Sequence, residues 1–470
     1  MAIHNYLFAR ATGGTFVLRI EDTDVDRCRQ EFVDVILEGL TWLGVRWDEG
    51  PVYQSERQEL YAPYVEQLLN DGRAYRCVCT PEDLAREREE ARARKQDWKY
   101  SGRCRGLSDD QIRRLDAEGR PAAVRLAVTD EGETAFDDLI GGTFRRRNED
   151  IEDFVIARSD GRALYNFAVV VDDHLMEISH VIRGNDHINN TYKQVLLYQA
   201  LEWDVPQFAH APLILRPDKS KVSKRKGDPS VIDYRDQGYL SDALLNFLCL
   251  LGWSPGDDRE IFTLEELIAV FRLERVSQSN PILDPTKLEW MNGEYIRQIP
   301  VPDLAGHVRP FVVQAGLATD SDLVSRAAWF EQVVAQLQER CKTLIEFSAA
   351  GAFFFRAPSE YDVKGVEKHF SKPGVSDRLR RLAEAWNKTA DFESETIGAT
   401  MRALAEKDGA KLAVYIHPAR LALTGATAGP GLFELAALLG REECLARLQH
   451  AASAIDSGLG SSAATAEENV

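Results

Sequence analysis

Between Asp218 and Asp228 the chain reads Asp218-Lys-Ser-Lys-Val-Ser-Lys-Arg-Lys-Gly-Asp228, five cations and two hydroxyls in a stretch too short and polar to be core. Such residues suit the holding of phosphate. A lysine ammonium is a compact point charge on a flexible stem, and Gly227 with the serines would let the loop close around a charged ligand and reopen. A solvated charged loop is the alternative reading. Cys77, Cys79 and Cys104 are a second candidate group. Thiolates with a fourth ligand suit tetrahedral zinc, and the short C-x-C can place two sulfurs on one metal. Three ordinary cysteines is the competing reading, because the two-plus-two pattern lacks its fourth cysteine. Glu21, Asp22 and Asp24 follow one strand-like run, and Arg183 closes another. Open α/β sheets place ligand groups at such strand ends, although helix capping and plain surface charge use the same residues.

These groups need a scaffold, and the text around them supplies one. Ile3, Tyr6, Leu7 and Ala11 recur at helical spacing before Gly13-Gly14, and Thr15 to Glu21 reads as a buried strand. Two amphipathic helices are expected between Cys28 and Leu69, around a turn at Asp48-Glu-Gly-Pro51, with a serine cap in Gln54-Ser-Glu-Arg57. Thr80-Pro81 opens a charged helix running to Lys95. Short strands are expected at Ala123–Ala127, Thr143–Arg147, Phe154–Ile156 and, after an Asp160-Gly161 turn, Ala163–Tyr165. Arg145, Arg146 and Arg147 either contact phosphate or face water beside Glu149 and Asp150. From about Pro302 helical periodicity takes over, and residues 452–470 are small, polar and expected to be disordered.

The 470 residues suggest three or four compact units, and 44% hydrophobic content is ample for buried cores. No apolar run approaches a membrane span of roughly 20 residues, and the start lacks a secretory signal, so a cytoplasmic protein is expected. A net charge of −18 argues against nonspecific grip on nucleic acid, though a local basic face could still bind RNA. Seven cysteines are too few for a disulfide scaffold. Cys28, Cys249, Cys341 and Cys444 read as small buried side chains. His174 and His187 lack a third metal ligand nearby and read as packed or hydrogen-bonded.

Lys221-Val222-Ser223-Lys224-Arg225 resembles the Lys-Met-Ser-Lys-Ser loop of class I aminoacyl-tRNA synthetases, in the form typical of bacterial-type glutamyl-tRNA synthetases. Arg19-Ile-Glu-Asp-Thr-Asp24, Val181 to Asn190, Gly238 to Trp253, Asp284 to Asn292 and Pro430 to Gly440 are similar to the same family in the same order, so the resemblance covers Ala2 to about Gln449. It implies an α/β fold: a Rossmann-type catalytic domain with an α+β insertion and an all-helical anticodon-binding region. The implied divisions are 1–70 and 161–215 for the catalytic parts, 71–160 for an acceptor-end-binding insertion, 216–300 for the basic loop and stem-contact domain, and 301–451 for the anticodon-binding helices. It further implies that Glu21 receives the substrate α-ammonium and that Tyr165 and Arg183 contact the glutamate side chain. Lys221, Ser223, Lys224 and Arg225 would act on ATP and its pyrophosphate, with Mg²⁺ assisting. In the same reading Cys77, Cys79, Tyr100 and Cys104 would hold a structural Zn²⁺. Val169 departs from the asparagine of some members. The partners implied are tRNA(Glu), L-glutamate and ATP, with a monomeric enzyme expected.

Family members open with a strand, an Ala-Pro-Ser-Pro-Thr-Gly-like turn and a His-Ile-Gly-His-like motif, and this sequence starts after all three. The expectation is that Met1 is a misassigned or truncated start. A noncatalytic tRNA-binding protein or an inactive remnant is the alternative, against which the retention of Glu21, Arg183 and Lys224 counts.

Overall fold

A computed structural model describes residues 1–22, 29–96, 98–222 and 227–459. The chain divides into two compact units, one of residues 1–232 and 244–285, the other of 233–243 and 286–470. Among the described residues of the first unit the strands are β1 (Val17–Ile20), β2 (Glu49–Tyr53), β3 (Ala74–Cys77), β4 (Ala123–Leu126), β5 (Glu133–Asp138), β6 (Gly142–Arg147), β7 (Val155–Ala157), β8 (His180–Gly184) and β9 (Gln207–Ala211). They form a parallel pair β1-β2, an antiparallel sheet β3-β4-β7 and a mixed sheet in the order β6-β5-β9-β8. In the last, β8 and β9 run parallel with Arg183 beside His210, and β5 joins β9 at Asp138 opposite Phe208.

The helix Ala2–Thr12 ends where expected, at Gly13 with φ 69°. Thr80 caps the helix Pro81–Ala93 through a reciprocal capping box with Asp83. The segment expected to turn at 48–51 is instead largely strand β2. Gly50 sits there at φ +100°, and an added Cβ would lie 2.2 Å from the carbonyl oxygen of Leu18. Gly50 is thus required by the close approach of β1, which a local reading mistakes for a turn. Ser55 does not cap the helix Gln58–Asn70; its hydroxyl donates to Asp22 at 2.6 Å. Asp22 therefore ties the end of β1 to the turn after β2. Ala163 makes only an isolated bridge to Ala157, and Tyr165 begins the helix Tyr165–Leu175.

That helix is anchored from beneath. Asp172, wholly buried, accepts from the Gln54 amide (2.9 Å), the Arg57 guanidinium (2.7 Å) and the Tyr61 hydroxyl (2.8 Å). Three donors on one carboxylate satisfy a charge that would otherwise be costly to bury. Tyr61, Leu68, Ile156, Phe167, Tyr198 and Phe208 fill the core around it.

In the second unit the described residues are helical throughout, as expected. Val375, Leu379, Leu382, Ala383 and Trp386 line the buried face of the helix Val375–Asn387, which packs on the helix Arg441–Asp456. That last helix passes the expected start of the disordered tail, with Ala451 and Ala452 fully buried. No helix among the described residues is long and apolar enough to cross a membrane.

Candidate active site

A cavity of about 860 Å³ opens in the first unit, lined by the helix Ala2–Thr12, by β1, by β8 and by the helix Tyr165–Leu175. Strand β1 carries Arg19, with Glu21 just past its end, the helix Tyr165–Leu175 contributes Tyr165 and Asp173 two turns apart, and β8 contributes Arg183, with His187 just beyond. Three residues singled out from the sequence, Glu21, Tyr165 and Arg183, thus line one cavity, and Val169 lines it too.

Opposite charges alternate around this space. Arg19 donates to Asp173 at 2.8 Å and lies 3.6 Å from Glu21. Burial pushes the Glu21 carboxyl up, with Arg19 opposing, and it raises Asp173 in the same way. Burial also lowers the Arg183 guanidinium from its ordinary value, and it pushes the Tyr165 phenol up to about 12 with help from Glu21. The Tyr165 hydroxyl is 3.2 Å from Nδ1 of His187. A small zwitterion with an extra carboxylate matches such a surface, since each of its charges meets an opposite one. Asp173 and His187 were missed as site residues. Asp173 was legible as the second of two acids ending an apolar helical run.

Arg183 is held on its inner side. Its Nε donates to Nε2 of His210 at 3.2 Å, and one terminal nitrogen donates to Thr191 Oγ1 and Gln194 Oε1, both at 2.7 Å. Among the described residues the other terminal nitrogen has no hydrogen-bond partner.

The basic loop is described only at its base; Ser223, Lys224 and Arg225 lie outside the described residues, as do Asp24 and Cys28. Arg216 and Asp228 close the base by a bidentate pair at 2.7 and 2.8 Å. Lys221 Nζ reaches Asp186 at 2.7 Å, next to His187 on the cavity rim, and this contact holds the Asp186 carboxyl below the usual range. Arg145 and Arg147 pair with Glu133, Glu149 and Asp150, whereas Arg146 lies over the Tyr192 ring.

Away from the cavity, the sulfurs of Cys77, Cys79 and Cys104 lie within 4.8 Å of one another. Cys79 and Cys104 are 3.6 Å apart, and the Tyr100 hydroxyl is 3.3 Å from Cys77 and 3.5 Å from Cys79. Tetrahedral zinc with Zn–S near 2.3 Å would set sulfurs roughly 3.8 Å apart, so the donor set fits that ion. The hydrogen bond from Cys104 pushes the Cys77 thiol down to about 4, against its burial. Cys249, Cys341 and Cys444 are buried singly, and His174 stacks on Trp203 at 3.8 Å.

Residues 1–290 match the family model described as tRNA synthetases class I (E and Q), catalytic domain, and residues 303–452 match an anticodon binding domain. The chain is 45% identical over 459 residues to a glutamate–tRNA ligase of Moorella thermoacetica, covering 96% of this chain and 94% of that protein. Against the glutamate–tRNA ligase of Geobacter sulfurreducens it is 45% identical over 455 residues, with 97% and 95% covered. Among solved structures, a glutamate tRNA ligase from Elizabethkingia meningosepticum in complex with its amino acid is similar with TM-score 0.88 and 32% identity, over 97% of this chain and 95% of that one.

Proposed function

The chain belongs to the class I tRNA synthetases of the glutamate and glutamine type, and on that premise we propose that it is a glutamate–tRNA ligase whose amino-acid pocket is the cavity bearing Glu21, Tyr165 and Arg183. The observation that carries this is the placement of those three residues around one space, with one terminal nitrogen of Arg183 lacking a partner among the described residues.

Glutamate would lie with its α-ammonium toward Glu21 and its γ-carboxylate toward Arg183. Glutamine offers an amide there, whose N–H groups would meet guanidinium N–H groups, so the cation selects the acid. The reaction has two steps. An α-carboxylate oxygen attacks the α-phosphorus of ATP, the bond to the β-phosphate bridging oxygen breaks, and pyrophosphate leaves. A hydroxyl of the terminal tRNA adenosine then attacks the carbonyl carbon of the mixed anhydride, forming the ester and releasing AMP. Neither step needs a side-chain nucleophile, so catalysis rests on positioning and charge stabilisation. Lys221, with Ser223, Lys224 and Arg225 beyond it in the loop, would offset charge gathering on the departing pyrophosphate. Mg²⁺ accompanying ATP would neutralise phosphate charge.

In this reading residues 1–70 and 161–215 form the catalytic parts, 71–160 grip the acceptor end of tRNA(Glu), 216–300 hold the basic loop and stem contacts, and 301–451 meet the anticodon. Cys77, Cys79, Tyr100 and Cys104 would hold a structural zinc that pins the end of β3 to the loop around Cys104. The enzyme would work as a cytoplasmic monomer. No observation favours the noncatalytic alternative. ATP–pyrophosphate exchange with tRNA(Glu) and either glutamate or glutamine tests the proposal. Exchange with glutamate alone is expected, and exchange with glutamine, or with neither amino acid, overturns it.

A further inference from the structure

Three neighbouring strands present one row of side chains behind the pocket: Asp138 at the end of β5, His210 on β9 and Arg183 on β8. The row is dry at its far end, since the side chains of His210 and Asp138 are 1% and 0% exposed. Its hydrogen bonds fix where the imidazole proton sits. Arg183 Nε can only donate, so the His210 Nε2 that it reaches at 3.2 Å must offer a lone pair. The imidazole proton then sits on Nδ1 and goes to Asp138 Oδ2 at 2.6 Å. Asp138 is itself immobilised, because its Oδ1 accepts the backbone N–H of Ile140 (3.0 Å), Gly141 (2.7 Å) and His210 (3.2 Å). Thr191 Oγ1, 2.9 Å from the same Nε2, also receives the guanidinium.

We propose that Asp138 and His210 are positioning residues for Arg183: Asp138 selects the imidazole tautomer that accepts from Arg183 Nε, which aims the guanidinium's remaining edge at the substrate γ-carboxylate. The proposal rests on the reading of Arg183 as the glutamate-binding cation. Asp138→Asn separates it from mere packing. The amide oxygen keeps the three backbone N–H groups, and its NH₂ then faces Nδ1. The imidazole proton is forced onto Nε2, where it opposes Arg183 N–H.

The test uses the full chain and L-glutamate. In wild type, ¹⁵N-histidine NMR should show His210 protonated at Nδ1 only, and Asp138→Asn should move that proton to Nε2. Glutamate affinity by calorimetry should fall on the order of tenfold or more in Asp138→Asn, the loss of one hydrogen bond to a charged group, while ATP affinity stays within about twofold. His210→Gln, which can offer an amide oxygen at the place of Nε2, should keep glutamate affinity within a few-fold; His210→Asn, a methylene shorter, should not. Arg183→Met is the control for the underlying reading. If it abolishes glutamate binding while Asp138→Asn and His210→Asn leave it intact, the positioning role is overturned and the pocket stands. If Arg183→Met is harmless, the pocket reading fails. A wild-type proton on Nε2 of His210 overturns the relay by itself, whatever happens to binding.

Discussion

Glu21→Gln removes one charge from the cavity while keeping its shape. The Glu21 side chain is 40% exposed and lies 3.6 Å from Arg19, so its carboxylate is partly solvated and partly committed. Two unit charges about 4 Å apart attract by about 4 kcal/mol at an effective dielectric near 20. Arg19 and water each draw on the same carboxylate, which leaves about 2–3 kcal/mol for a substrate ammonium. That is about 30- to 150-fold in the glutamate KM. Exchange kinetics in the presence of tRNA(Glu) measure it, and glutarate, the same diacid chain without the ammonium, supplies the control. Glutarate should inhibit the wild-type enzyme weakly, and Glu21→Gln should not weaken it further. Equal losses for glutamate and glutarate would refute the assignment, because Glu21 would then not face the ammonium. The pH dependence follows from the same group. Burial raises the Glu21 carboxyl, so on acidification it takes its proton earlier than an ordinary glutamate, and only the charged form attracts an ammonium. The kcat/KM for glutamate should therefore decline as pH falls through that raised value, and Glu21→Gln should remove the decline.

Three further outcomes are expected. Lys221→Ala should slow exchange by about 10²–10³-fold, the effect of removing one donor from developing charge, with glutamate affinity by calorimetry unchanged; a comparable loss of affinity would place Lys221 in the amino-acid pocket instead. Metal analysis of the purified chain should find about one zinc per molecule, and Cys104→Ser should bring it below half, since three donors hold the ion less well than four. Asp172→Asn should lower stability toward urea by about 3 kcal/mol, because Gln54, Arg57 and Tyr61 all lose a shared anion; an unmoved midpoint would show that the buried carboxylate is dispensable.

Local signals carried much of this. A glycine after a periodic helix, a Thr-Pro helix start and an arginine closing an apolar strand each state their place within a few residues, and the structure has Gly13 at a helix end, Thr80 at an N-cap and Arg183 near the end of β8. Strand β5 was overlooked although its burial alternates, because only Ala135 and Phe136 in Glu133–Asp138 are apolar. Strand β2 was hidden by a glycine and a proline that read locally as a turn, although the glycine's reason is the carbonyl of Leu18, more than thirty positions away in sequence. The same holds for the support of Arg183. Asp138 and His210 are 72 residues apart, and nothing in the text of either announces the other. What the sequence could not convey is therefore chiefly pairing between distant segments, which the hydrogen-bond requirements of buried groups then enforce.

The mixed sheet bears on how freely such a protein could be cut and recombined. Strands β5 and β6 fall inside the stretch 71–160 that reads as a self-contained insertion, yet they extend the sheet that carries Arg183. A chimera that exchanged this stretch for another would exchange two strands of the catalytic sheet with it, and the carboxylate behind His210 as well. A graft at those boundaries would thus alter how the enzyme discriminates among amino acids along with how it holds RNA. A graft that spares the pocket would have to leave β5 and β6 with the host chain, so the exchangeable part of the molecule is narrower than its apparent domain.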